Sequence, residues 1–155
     1  MPMMSDILLG LAVVGVGAFE IDDKAVVRSL HAQGAQIYEC KPGKDGTLSW
    51  EFREPIAVLI DGERTVGYHA RGPRWVLDDG EMLVGKVSER RSGRKPADIP
   101  ELKLDVTERR GKQPFGQSKI ILRVDTVGGM LQGVCDKPGT LHAEPYSAQY
   151  LFLSQ

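Results

Sequence analysis

The sequence predicts an all-β fold, a single-domain antiparallel β-barrel or β-sandwich of about nine or ten short strands. Three observations carry this expectation. Eighteen glycines and nine prolines in 155 residues divide the chain into short pieces. The pieces between these breaks are continuous apolar runs or alternate apolar and polar residues with period two, as strands do. No segment sustains a helical period long enough to build a layer of helices. The expected division is an apolar N-terminal segment at 1–20, a candidate signal peptide, followed by a single β domain at 21–155.

Ile7 to Phe19 (ILLGLAVVGVGAF) is thirteen residues without a charge. That is too short to span a bilayer as a helix and about the length of a signal-peptide core. Val16-Gly17-Ala18 offers small residues for cleavage, yet no Lys or Arg precedes the run and Asp6 carries the opposite sign. Two readings stay open: a leader that sends the protein to the periplasm or medium, and a buried apolar element of a cytoplasmic protein.

Ala25 to His31 admits a helix capped by Asp22 or Asp23. A strand is preferred, turning at Gln33-Gly34 into a hairpin partner at Ala35 to Cys40. Lys41 to Gly46 (KPGKDG) is a turn by composition. Leu48 to Phe52 alternates, and Ile56 to Ile60 is a continuous run covered on both faces. Asp61-Gly62 leads into Thr65 to Ala70, Gly72-Pro73 breaks the chain, and Arg74 to Leu77 resumes it. Asp78-Asp79-Gly80 turns into Glu81 to Ser88. Glu89 to Pro100 reads as an exposed basic loop, and Arg109 to Ser118 as a second. Leu102, Leu104 and Val106 mark a half-buried strand. Ile120, Leu122 and Val124 alternate with Ile121, Arg123 and Asp125, with a bend or bulge at Gly128-Gly129. Ala148 to Leu153 is a terminal strand.

Twenty basic against twenty-one acidic residues give a formal charge of −1, which supplies no global attraction to nucleic acid or an anionic membrane. Neither basic loop is interleaved with aromatic residues as single-strand binders are. His31, His69 and His142 lie at no metal-ligand spacing, so no metal is expected. No glycine cluster forms a phosphate-binding fingerprint and no serine sits in a nucleophile elbow, so no cofactor is expected. The oligomeric state is not legible. Cys40 and Cys135 fit either one disulfide, which requires an oxidising compartment, or two unrelated buried thiols.

Several segments together carry a resemblance: Gln36-Ile37-Tyr38-Glu39-Cys40, Gly67-Tyr68-His69-Ala70-Arg71-Gly72-Pro73-Arg74-Trp75, Asp98-Ile99-Pro100, Arg123 to Gly129, Cys135 and Pro145 to Tyr150. The chain resembles a bacterial and fungal family of unknown function, DUF3455, whose members are often exported. The resemblance covers the chain from about Leu30 to its end, and G-x-H-x-x-G-P-x-W is its most specific part. It implies export and a Cys40–Cys135 bridge, and it implies no mechanism. The family usually carries Asn-Thr where this chain has Asp125-Thr126, and often Trp where it has Glu101.

His69 is the sharpest candidate for chemistry. A histidine titrates near neutral pH and can serve as a general acid or base. Trp75 close by offers a surface for a sugar or another apolar ring, and Tyr38 and Tyr68 complete the candidate ligand-binding set. Against this stands a structural reading in which His69 and Trp75 are core residues and Gly72-Pro73 only turns the strand. Two functions follow from the candidates. One is a binding module for a small molecule or glycan near His69 and Trp75. The other is a small hydrolase or isomerase that uses His69.

Overall fold

The computed structural model describes residues 19–155; the candidate leader therefore lies, apart from its last residues, outside the described part. Eight antiparallel strands follow one another in chain order and close into a barrel. They are β1 (Val26–Pro42), β2 (Leu48–Asp61), β3 (Arg64–Ala70), β4 (Arg74–Leu77), β5 (Met82–Arg91), β6 (Glu101–Arg110), β7 (Ile120–Gly128) and β8 (Leu141–Leu153). β8 returns to pair with β1, so no strand edge is left open in the ring.

The all-β expectation holds, with fewer and longer strands than the segment count suggested. The predicted hairpin at Gln33-Gly34 does not exist. Gln33 and Gly34 lie inside β1, paired with Val58 and Ala57 of β2. A β-carbon on Gly34 would come within 2.0 Å of the Ile56 carbonyl oxygen. The glycine marks a close approach of two backbones rather than a reversal of the chain. Glu54-Pro55 likewise interrupts the sequence pattern but not β2, because a one-residue register shift between Ile37 and Tyr38 absorbs the irregularity. The alternative helix at Ala25 to His31 reduces to a 3-10 turn at Asp23–Ala25, whose first turn is capped by the Asp22 side chain accepting from the Lys24 N–H.

In a meander of this kind, alternate connections gather at opposite ends of the barrel. At one end the β6–β7 connection folds inward. Phe115 in the 3-10 turn Phe115–Gln117 is buried, with its ring 4.7 Å from that of Phe152. The middle is filled by Leu30, Leu59, Leu83, Leu104, Ile121 and Phe152. A second, smaller cluster sits on the outside of the barrel, where Phe19 packs with Ala25, Leu122 and Leu153. This cover decides which face of β7 is inward. Leu122 is buried outside the barrel, so the apolar set Ile120, Leu122 and Val124 is not the inward one. Ile121 and Arg123 point into the barrel.

At the opposite end the β7–β8 connection crosses beside β1 and β2. It is held by an isolated bridge between Val134 and Ser49 and by the disulfide Cys40–Cys135, whose Cα atoms are 6.0 Å apart. The bulge expected at Gly128-Gly129 falls slightly earlier, between Val124 and Val127. Asp125 there takes a positive φ of 50°, a conformation that Asn and Asp tolerate better than other side chains. Among the described residues no helix is long and apolar enough to cross a membrane.

Candidate functional site

The G-x-H-x-x-G-P-x-W segment is the β3–β4 hairpin, turning through Arg71 to Pro73. Its register sets His69 directly across from Trp75. A β-carbon at Gly67, near the start of the segment, would come within 2.1 Å of the Val76 carbonyl oxygen, so the two strands approach this closely only with glycine there. Consecutive strand residues face opposite sides, and this divides the candidate set. His69 points inward. Tyr68 points outward, 45% exposed, with the Arg74 guanidinium 5.9 Å from its ring centroid. The geometry therefore removes Tyr68 from the interior site.

His69 and Trp75 are 3% and 1% exposed. Their rings stack at 4.5 Å, and Tyr150 stands 5.1 Å from His69 and 5.5 Å from Trp75. The His69 Nδ1–H donates to the Arg74 carbonyl oxygen at 2.9 Å; in the neutral ring this places the proton on Nδ1 and leaves Nε2 an acceptor with no partner among the described residues. Burial holds its pKa far below the ordinary value, at about 3, against the opposing bond to Arg74 and with help from the charge of Arg123.

These core residues also wall a cavity of about 600 Å³ at the end of the barrel opposite Phe115. The cavity is bounded by the His69–Trp75 pair and Tyr150, by Gln36 and Tyr38 of β1, and by Arg123 of β7. Leu102, Leu104, Val87 and Ile99 form its apolar wall, and Met130, Leu131 and Gln132 of the β7–β8 connection lie across it. The two readings of His69 and Trp75 thus meet in one place: both are packed in the core, and a cavity reaches both.

Tyr38 lines the cavity and also holds the connection that lies across it. Its hydroxyl donates to the Gly129 carbonyl oxygen at 2.5 Å and accepts from the Leu131 N–H at 3.2 Å. Burial raises its pKa above the usual phenol range. With its hydroxyl engaged in this way, Tyr38 fastens the connection over the cavity and offers a ligand little beyond the side of its ring. Tyr146, its pKa also raised by burial, shares a hydrogen bond with Tyr150 at 3.2 Å between their hydroxyls.

Two polar residues of the wall, Arg123 and Gln36, were not singled out as site candidates from the sequence. Arg123 is 8% exposed, and its Nε and Nη2 donate to the Pro100 carbonyl oxygen at 3.0 and 2.8 Å. The buried side-chain nitrogens Gln36 Nε2 and Trp75 Nε1 have no hydrogen-bond partner among the described residues. Arg123 left a signal in the sequence, a charge inside the apolar run Ile121-Leu122-Arg123-Val124. Gln36 left none, because a glutamine in an alternating strand normally faces water. Among the described residues there is no cluster of three or more His, Cys, Asp or Glu able to hold a metal ion.

A family model described as "Protein of unknown function (DUF3455)" matches residues 22–65 and 61–154. No curated protein and no solved structure matches the chain.

Proposed function

The chain belongs to the DUF3455 family of proteins of unknown function, and on that premise we propose that its barrel is a non-catalytic binding module holding one small molecule against His69 and Trp75. The observation that carries this is the cavity of about 600 Å³ at one end of an otherwise filled barrel. Its size falls within the range of roughly 300–1,000 Å³ common to small-ligand sites, and its wall is apolar with a few convergent polar groups, as such sites are.

The surroundings of Trp75 favour a compact molecule over a glycan. One face of the indole is occupied by His69, and Tyr150 and Phe152 approach it edge-on. It is therefore poorly placed as a floor for a sugar ring. The reading of His69 as a general acid or base has less support. An imidazole with a pKa of about 3 carries no proton to give near neutrality and is a weak base. Its only hydrogen bond among the described residues goes to a backbone carbonyl.

The neutral fluorophore 1-aminoanthracene tests the binding reading. Saturable one-to-one binding, with a blue-shifted emission, is expected. Emission that rises without saturation, or not at all, contradicts it.

The same proposal locates the protein in the periplasm or outside the cell. The disulfide suits an oxidising compartment, and the uncharged run Ile7 to Phe19 suits a leader. The intact mass of the protein recovered from its native cells checks this: loss of a leader close to Ala18 is expected, and a full-length chain in the cytosolic fraction contradicts it.

A further inference from the structure

We infer that the molecule held in this cavity is an organic acid, with its carboxylate seated on Arg123 and an apolar body against the barrel wall. The inference rests on the binding proposal and adds the ligand's chemical class.

The charge around the cavity is one-sided. Among the described residues four arginines line it (Arg53, Arg71, Arg90 and Arg123), and no Asp or Glu does. Two of the four are neutralised from outside the lining. Arg53 pairs with Glu39 and Glu54 at 3.2 and 2.9 Å, and Arg71 pairs with Glu54 at 2.9 Å. Arg90 and Arg123 have no carboxylate within salt-bridge distance among the described residues.

Arg123 is the decisive one, because it is buried. A buried charge is costly unless an opposite charge meets it, and the Pro100 carbonyl that accepts from Nε and Nη2 carries no charge. Guanidinium has five N–H donors and matches a carboxylate in a two-pronged pair. Two donors are spent on Pro100, so the remaining N–H groups are available to an anion in the cavity. A wall with an unpaired buried cation and no opposing carboxylate among the described residues calls for a negatively charged ligand. The apolar side chains Val87, Leu102, Leu104 and Met130 on the same wall call for a hydrocarbon part.

The experiment compares octanoate, octan-1-ol and inorganic phosphate by titration calorimetry against the whole protein. Octanoate and octan-1-ol share a tail and differ in charge; phosphate has charge and no tail. Octanoate is expected to bind about 10- to 100-fold more tightly than octan-1-ol, the span of one charge-assisted hydrogen-bond pair, and phosphate not at all. In Arg123→Gln the octanoate affinity should fall to that of octan-1-ol, while octan-1-ol is unchanged. Arg123→Lys, which keeps the charge and loses the fork, should lie between. Equal binding of octanoate and octan-1-ol overturns the inference and leaves the binding proposal standing. Phosphate binding as tightly as octanoate overturns it as well, since no apolar body would then be recognised. Saturable 1-aminoanthracene binding with no affinity for octanoate also overturns it. If neither that fluorophore nor any of the three compounds binds, the binding proposal itself fails. The comparison within the wild-type protein decides the matter even if Arg123→Gln does not fold.

Discussion

Replacing Cys40 and Cys135 together by alanine is expected to lower the unfolding free energy by about 4–5 kcal/mol, the value the chain-entropy account gives for a loop of this length. The two cysteines are 95 residues apart, so the bridge removes a large set of open conformations from the unfolded chain. In the folded protein it ties the β7–β8 connection to β1, beside the backbone links that hold its distal half, the Val134–Ser49 bridge and the hydrogen bonds of Cys40 with Gly139 and Thr140. That connection also carries Met130, Leu131 and Gln132 across the cavity. The variant should therefore lose stability and, in addition, hold 1-aminoanthracene more weakly. Equilibrium unfolding in guanidinium chloride under non-reducing conditions measures the first effect. A change below about 1 kcal/mol would mean that the unfolded chain is already constrained there without the bridge.

Acid should destabilise the protein through His69, and the sign follows from the direction of its shift. In the unfolded chain the ring titrates near its ordinary 6.5; in the barrel it stays neutral until about 3. Between those values the unfolded state binds a proton that the folded state does not, so stability falls as pH falls. The contribution is fully present above pH 6.5 and reaches a loss of about 3 kcal/mol by pH 4, at roughly 1.4 kcal/mol for each pH unit of the interval. His69→Phe keeps an aromatic ring beside Trp75 and cannot titrate. Its stability between pH 7 and pH 4 should decline less steeply than that of the wild type by this amount. Parallel declines in the two proteins would show that His69 gains a proton in the folded state well above pH 4. The ring's NMR signals offer the same check, with no titration expected between pH 8 and pH 4.5.

Much of the fold was legible in the sequence, since strand alternation and turn chemistry are local. Thr65 to Ala70, Arg74 to Leu77 and the strand of Leu102, Leu104 and Val106 emerge within a residue or a few of their expected bounds. The misreadings share a physical cause: the meaning of a residue depended on a partner distant in the chain. Gly34 reads as a turn until β2 is seen pressed against it. The alternation of β7 does not say which of its two faces is inward until Phe19 and Leu153 are seen covering Leu122 on the outside. Closure of the ring is likewise invisible locally, because it depends on β8 finding β1.

The candidate site was legible in part for the same reasons. His69 and Trp75 were found because an uncommon motif surrounds them and a hairpin places them opposite each other. Tyr68 is their neighbour in sequence but faces away from the barrel interior, because a strand sends neighbours to opposite faces. Arg123 reaches the cavity from β7, opposite Tyr150 of β8. Only the closed barrel brings that strand to face β3 and β4.

The most direct test of the account is an NMR titration of the whole protein with 1-aminoanthracene, following the two tryptophan indole N–H signals. Trp75 lies at the cavity, whereas Trp50 sits away from it beside His142. The account predicts that the Trp75 signal shifts and saturates at one equivalent while the Trp50 signal stays in place. A Trp75 signal that does not respond, or one that moves no more than that of Trp50, would contradict a ligand site inside the barrel.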